Sequence, residues 1–146
     1  MKKVYTMIAL MVLVGSMAVA AQAQTASRTQ LVASIPFQFH VGDQAMPAGE
    51  YTISQVNPSS DRAVLRLRAK NGSSTVMIQM NNVIGKVRDG SQLVFNRLGS
   101  EYYFSQAWMS GDDTGWQASK SKVERQTQQQ LAGMKWSTET VALRIR

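Results

Sequence analysis

His40 is the only histidine in the 146-residue chain, and imidazole is the side chain best suited to proton transfer near neutral pH. It falls in the run SIPFQFHV (34–41), where polar and apolar residues alternate and His40 shares the polar positions with Ser34 and Gln38. A catalytic base needs an orienting partner and a nucleophile or water within hydrogen-bond reach. The residues next to it in sequence supply neither. The alternation therefore predicts a solvent-facing strand residue, and we assign no catalytic residue.

The acidic residues are scattered, and most of them fall in predicted turns: Asp43, Asp61, Asp89, Asp112 and Asp113. Aspartates in turns commonly bind their own backbone. The segment Asp112-Asp113-Thr114 offers oxygen ligands for calcium, but a calcium site takes about six to eight oxygens, and the spacing is not that of an EF-hand loop. The chain has no cysteine, which excludes thiol-based metal and redox sites. We predict neither a metal nor a cofactor.

Four basic residues occur close together: Arg62, Arg66, Arg68 and Lys70. In the run AVLRLRAK (63–70) a period of two places Ala63, Leu65, Leu67 and Ala69 on one face. Arg66, Arg68 and Lys70 are expected to share the outer face with Val64. One interpretation is a solvated face that also protects the sheet edge against aggregation. The other is a contact with an anionic surface, which Lys86 and Arg88 can extend.

Aromatic side chains are concentrated in one part of the chain: Tyr102, Tyr103, Phe104, Trp108 and Trp116. Such a cluster is most often the core of a small β domain. Tyr102, Phe104 and Trp108 fall on the same face of a predicted strand, which makes them candidates to line an apolar or carbohydrate site.

The first 23 residues have the pattern of an export signal. Lys2 and Lys3 precede an almost wholly apolar run (4–20), and Ala21-Gln22-Ala23 places small residues at the cleavage positions. We predict cleavage after Ala23, a flexible leader (24–30) and a single domain (31–146) in the periplasm or cell exterior. Loss of the two lysines lowers the formal net charge from +7 to +5. A mildly basic exported domain favours anionic polysaccharide or a lipid surface as a weak partner, and we expect no nucleic acid and no membrane span after signal removal.

Short alternating runs separated by turn residues predict a mostly β domain. The runs Val32–Val41 and Glu50–Val56 flank the tight turn Met46-Pro47-Ala48-Gly49 and are expected to pair with each other. Asn71-Gly72 is a strong hairpin signal. The run Glu101–Met109 carries aromatic residues on both faces, which indicates an interior strand. Further strands are predicted at 63–70, 74–83 and 92–98.

One helix is predicted at about 121–132, because Ser121 and Glu124 have the spacing of a capping box and Gly133 is a natural stop. The helix is polar, so we expect it on the surface or at an end of the sheet. The alternation of Val141, Leu143 and Ile145 with polar residues predicts a final strand at about 139–146. The fold class is therefore all-β: an antiparallel sandwich or partly closed barrel of six to eight strands with one short C-terminal helix.

Three segments together resemble a family of small exported proteins that are numerous in acidobacterial genomes: IPFQFHVGDQAMPAGEYTI (35–53), LVFNRLGSEYYFSQAWMSGDDTG (93–115) and SKSKVERQ (119–126). Their shared features are a strand followed by PAG-x-Y, an LVF-x-R-x-G hairpin and a K-S-K-x-E-R helix start. The resemblance implies a signal peptide and a mostly β domain, and it supplies no catalytic residue.

The sequence favours a non-catalytic exported β domain that acts as a binding or structural module. The alternative is a small β-barrel carrier of an apolar ligand, and a glycan-active enzyme comes third. A filled interior would favour the module, an enclosed apolar cavity would favour the carrier, and a cleft with converging carboxylates would favour the enzyme.

Overall fold

The computed structural model describes residues 30–58, 60 and 62–146. The predicted signal peptide (1–23), all but the last residue of the predicted leader (24–30) and Asp61 lie outside the described residues. Within the described part, the chain forms ten strands and one helix: β1 Leu31–Ile35, β2 Phe39–Val41, β3 Gln44–Met46, β4 Gly49–Gln55, β5 Val64–Ala69, β6 Thr75–Ile84, β7 Gln92–Leu98, β8 Glu101–Trp108, β9 Thr114–Ala118, α1 Lys122–Gln130 and β10 Ser137–Ile145.

Eight of the strands close into an antiparallel barrel. Their order around the barrel is β8-β7-β10-β1-β4-β5-β6-β9, and β9 pairs again with β8. The predicted all-β class is confirmed, and the structure selects the barrel over the sandwich. Closure removes most of the free strand edges that invite aggregation in a small sheet.

The remaining two strands form a hairpin beside the closing seam. One edge of β8 pairs with β7, while the other edge is shared: Gln106 and Ala107 pair with β9, and Tyr103 pairs with His40 of β2 in parallel. The β2–β3 hairpin turns at Gly42, whose φ of +60° is one that glycine adopts at little cost. It fills the part of the β8 edge that β9 leaves unpaired.

The predicted first strand (32–41) is in fact two separate strands. Pro36 lies between β1 and β2, where its missing N–H and fixed φ do not support continued pairing. The predicted tight turn at 46–49 is a corner rather than a hairpin turn, since β3 pairs with β2 whereas β4 pairs with β1. The Tyr51 hydroxyl donates a 2.6 Å hydrogen bond to the carbonyl of Pro47 and fixes this corner.

Side chains fill the barrel interior. The four residues on the predicted inward face of the run 63–70 are all buried: Ala63, Leu65, Leu67 and Ala69. Phe39 packs edge to face against Tyr51 and against Phe95, with ring centroids 5.3 Å apart in both pairs. Eight-stranded barrels enclose a space just wide enough for such side chains.

A bulge interrupts the alternation of β8. Phe95 pairs with Phe104 and Val94 pairs with Gln106, so Ser105 has no partner across this pair of strands. The extra residue shifts the phase of the strand, and Ala107 joins the core cluster where strict alternation predicts Gln106.

The helix lies against the outside of β7 and β8. The Ser121 side chain accepts a 3.0 Å hydrogen bond from the amide of Glu124, which confirms the predicted N-cap. The Glu124 carboxylate does not complete a capping box but accepts a 3.0 Å hydrogen bond from Asn96 of β7. The Tyr103 hydroxyl of β8 donates to the Thr127 hydroxyl at 2.8 Å. These two contacts hold α1 across the barrel wall.

Candidate functional site

A hollow lies on the outer face of β4 and β5, on the part of the barrel that α1 does not contact. Thr52 pairs with Arg68 and Ser54 pairs with Arg66 across these two strands, which places two hydroxyl groups beside two guanidinium groups on this face, with Ser54 only 6% exposed. The ends of the described domain meet beside them, where the amide of Arg146 donates a 3.1 Å hydrogen bond to the carbonyl of Gln30. The hollow has a volume of about 210 Å³. We call it the basic hollow; its lining comprises Gln30, Thr52, Ser54, Arg66, Arg68, Ala69, Lys70 and Arg146.

The charges around the basic hollow are unbalanced. Lys70 is bound to Glu50 at 2.9 Å, which leaves little of its charge for another partner. Among the described residues, no carboxylate lies within 4.0 Å of the guanidinium groups of Arg66, Arg68 or Arg146. A guanidinium group presents planar, forked donors that match the oxygens of carboxylate, sulfate and phosphate groups. The hydroxyls of Thr52 and Ser54 add neutral donors to the same hollow.

The structure brings together three of the four basic residues that the sequence singled out. Arg66, Arg68 and Lys70 line the basic hollow, whereas Arg62 lies in the turn before β5, where its carbonyl accepts a hydrogen bond from Asn57. Lys86 and Arg88 do not line the basic hollow. The Arg88 guanidinium lies 4.5 Å from the centre of the Trp108 ring instead.

Arg146 is the basic residue of the basic hollow that was not among the predicted site residues. The alternation of the final strand already placed it on the polar face, together with Arg144. Nothing in the sequence indicates that β10 and β1 lie between β7 and β4, which is what brings Arg146 beside β4. The pairing order of an antiparallel barrel depends on long-range contacts, which local alternation does not encode.

The predicted ligand aromatics are mostly core residues. Phe104 and Trp108 are 3% and 2% exposed. Tyr102 is half-buried and stacks on Phe37 with ring centroids 3.9 Å apart. Phe37 lies in the connection between β1 and β2, and both rings of this pair pack against the core.

His40 is not the solvent-facing residue that the alternation predicts. Its side chain is only 16% exposed, and Nε2 lies 2.9 Å from Oε2 of Glu101. The imidazole also stacks on Tyr103 with centroids 5.0 Å apart. The prediction was wrong because the parallel pairing of β2 with β8 supplies a partner 61 residues away in sequence.

The His40–Glu101 pair resembles the base and orienting group of a hydrolytic site, but its geometry does not present a base to a substrate. The carboxylate holds Nε2, and Nδ1 is buried without a hydrogen-bond partner among the described residues. A general base must reach the proton that it removes. We therefore interpret the pair as a structural link between β2 and β8.

No group of three His, Cys, Asp or Glu side chains in the described part of the chain is placed to hold a metal ion. The described residues also include no helix with the length and apolar character needed to cross a membrane. Searches against protein-family models, curated proteins and solved structures found no match to this chain. A barrel fold by itself does not define a function, so the function has to be argued from the site.

Proposed function

We propose that this protein is a non-catalytic, exported binding module whose basic hollow binds the anionic groups of a polysaccharide. The observation that carries the proposal is the set of three guanidinium groups, from Arg66, Arg68 and Arg146, that surround one hollow without a carboxylate partner among the described residues. Like charges repel, so placing cations from β5 and from the end of β10 around one hollow is unfavourable unless an anion binds there.

The shape of the basic hollow favours a polysaccharide over a lipid surface. A concave site of about 210 Å³ on the side of a barrel accepts single anionic groups presented by a flexible chain. A planar bilayer instead meets flat or protruding basic surfaces. The filled barrel interior supports a binding module over a carrier, because the buried rings of Phe39, Tyr51 and Phe95 occupy the space in which a carrier holds its ligand.

Binding at this hollow is expected to be weak and salt-sensitive. A single exposed charge contributes on the order of 1 kcal/mol near an anionic surface, so the basic residues act in sum. The Debye length falls from about 10 Å at 0.1 M salt to about 3 Å at 1 M, which screens partly exposed pairs.

Retention on immobilised heparin tests the proposal. The double variant Arg66→Glu/Arg68→Glu should elute at markedly lower salt than the wild type, with an unchanged melting curve. The matched control is Lys86→Glu/Lys122→Glu, which changes the net charge by the same amount at exposed positions outside the basic hollow. Equal losses in both variants would show that net charge alone drives retention. Unchanged retention of the Arg66/Arg68 variant would refute the proposed site.

The export part of the proposal rests on the signal pattern of residues 1–23. Intact-mass and N-terminal sequencing of protein from the native host should find a mature form that begins at Gln24. A mature chain that retains Met1 would refute export by this signal.

A further inference from the structure

A second hollow, of about 480 Å³, lies between the C-terminal end of α1 and the start of β10. Its volume falls within the range of about 300–1,000 Å³ that is typical of small-molecule sites. Arg125, Gln128 and Gln129 of the helix line one side of it. Leu131, Met134 and Trp136 of the connection to β10 line the other.

Trp136 is more exposed to solvent than Trp108. Trp136 is 37% exposed, whereas Trp108 is 2% exposed. The Lys120 ammonium lies 4.5 Å from the centre of the Trp136 ring and donates a 3.3 Å hydrogen bond to the Gln128 side chain. This bridge fixes an exposed indole beside a polar helix. A pre-positioned ring loses little entropy when a ligand stacks on it.

The chemistry of this lining matches a sugar ring. An indole face accepts the C–H face of a pyranose, and side-chain amides donate to and accept from its hydroxyl groups. Gln128 and Gln129 supply two such amides next to Trp136. A lipid tail or an apolar peptide would offer no hydrogen-bond partner to the Gln129 amide or the Arg125 guanidinium.

The charges select an acidic sugar. Met134, which is 55% exposed, also borders a third hollow of about 300 Å³ that includes Arg97 and Lys135. Arg97 is paired with the Glu139 carboxylate at 3.8 Å, whereas Arg125 and Lys135 have no carboxylate within 4.0 Å among the described residues. The positive charges of Arg125 in this hollow and of Lys135, next to Trp136 in the chain, are complementary to a uronic acid, whose carboxylate projects from the ring edge.

We infer that the hollow beside Trp136 is a stacking subsite for a uronic-acid saccharide. A longer chain of the same kind reaches the basic hollow along the outer face of β10, where Thr138, Thr140 and Ala142 are small and exposed. Nine residues of strand span about 30 Å, so this track accommodates several sugars. The track rests on the proposed function of the basic hollow, whereas the Trp136 subsite does not.

Titration with trigalacturonate and with long polygalacturonate, followed by tryptophan fluorescence, tests the inference. Trigalacturonate should perturb the emission of the wild type and of the Arg66→Glu/Arg68→Glu variant alike. Trp136→Ala should lose this response, and Trp136→Phe should retain part of the affinity in calorimetry. The long polymer should bind the wild type at least about tenfold more tightly than it binds either variant, because linked subsites add avidity.

Neutral maltotriose is the matched ligand control, and binding as tight as that of trigalacturonate would overturn the selectivity for acidic sugars. Binding of trigalacturonate that survives in Trp136→Ala would overturn the subsite. Should Trp136→Ala unfold, Lys120→Met tests the same subsite through the orientation of the ring, and unchanged affinity in that variant would count against it. Trigalacturonate binding that requires Trp136, combined with polymer binding that is insensitive to Arg66→Glu/Arg68→Glu, would support the subsite and refute the basic hollow.

Discussion

Strands β5 and β8 belong to the same barrel and differ in what lies outside them. Both turn apolar side chains inward, with Leu67 fully buried on β5 and Phe104 only 3% exposed on β8. On the outside, Arg66 and Arg68 of β5 line a hollow open to solvent. Tyr103 of β8, by contrast, is 2% exposed beneath His40 and α1. One side of the barrel wall is bare and basic, and the other is covered.

The difference shows that the residue types on the outer face of a strand decide whether other elements cover it or solvent reaches it. A covered outer face needs apolar or aromatic residues on both sides of the strand, and β8 has them. A bare face needs polar residues. Their type decides whether the face contacts only water or can also bind a ligand. Because α1 covers the outside of β7 and β8 and the β2–β3 hairpin extends the edge of β8, we place the first binding site on the outer surface of β4, β5 and the end of β10.

The largest effect is expected from truncation on the covered side. Tyr103→Ala removes a ring that is buried outside the barrel and a hydrogen bond to Thr127, and we expect a loss of about 3–5 kcal/mol in the free energy of unfolding. Tyr103→Phe removes only the hydroxyl and should cost about 1 kcal/mol. Denaturant unfolding measures both. A cost below about 1 kcal/mol for Tyr103→Ala would mean that α1 does not cover β8.

At the seam where β8 pairs with β9, a larger side chain should lower the stability of the fold. A Cβ at Gly115 would lie 2.6 Å from the Trp108 ring, a separation that forces the ring or β9 to move. We expect Gly115→Ala to cost about 1–3 kcal/mol. Gly90→Ala is the control, since its Cβ would meet nothing within 4 Å, and it should change stability by less than about 0.5 kcal/mol. Equal melting temperatures for the two variants would contradict the packing at the seam.

Removal of the N-cap should lower the stability of α1, the helix that covers β7 and β8. Ser121→Ala leaves the Glu124 amide without its side-chain acceptor, at an expected cost of about 1 kcal/mol. Ser119→Ala, at an exposed position just before the helix, should cost less than about 0.5 kcal/mol. Hydrogen exchange of the α1 amides should accelerate only in the first variant, and equal rates in both would show that the cap does not hold the helix.

The smallest effect on stability is expected on the bare side. Arg68→Ala should change the free energy of unfolding by less than about 0.5 kcal/mol, since the side chain is exposed and has no carboxylate partner among the described residues. Its heparin retention should nevertheless fall. A stability loss above about 1 kcal/mol would make Arg68 a structural residue and remove the contrast between the two sides.

Local patterns in the sequence predict much of this contrast. From Leu65 to Lys70 apolar and basic residues alternate, so the inward positions of Leu65 and Leu67 and the outward positions of Arg66 and Arg68 follow from the period of two. The N-cap at Ser121 follows from the capping preference of serine. These features depend on residues close together in sequence.

Other features depend on contacts between distant residues, which local alternation does not encode. His40 has the position of a solvent-facing residue, and only the pairing of β2 with β8 brings it to Glu101. Arg146 joins the basic hollow because β10 pairs with β1, and β1 in turn pairs with β4. Strands β3 and β9 were not predicted, since their runs of three and five residues are too short for a clear alternation.

An NMR titration with a heparin hexasaccharide tests most directly whether anionic saccharides bind the bare side. Amide signals of Thr52, Ser54, Arg66 and Arg68 should shift with a common affinity, and the shifts should disappear at about 1 M salt, where the Debye length is about 3 Å. The amides around Tyr103 on the covered side should stay unchanged. Unperturbed β4 and β5 signals at saturating hexasaccharide, or shifts confined to β8, would contradict the assignment of the basic hollow as the binding site.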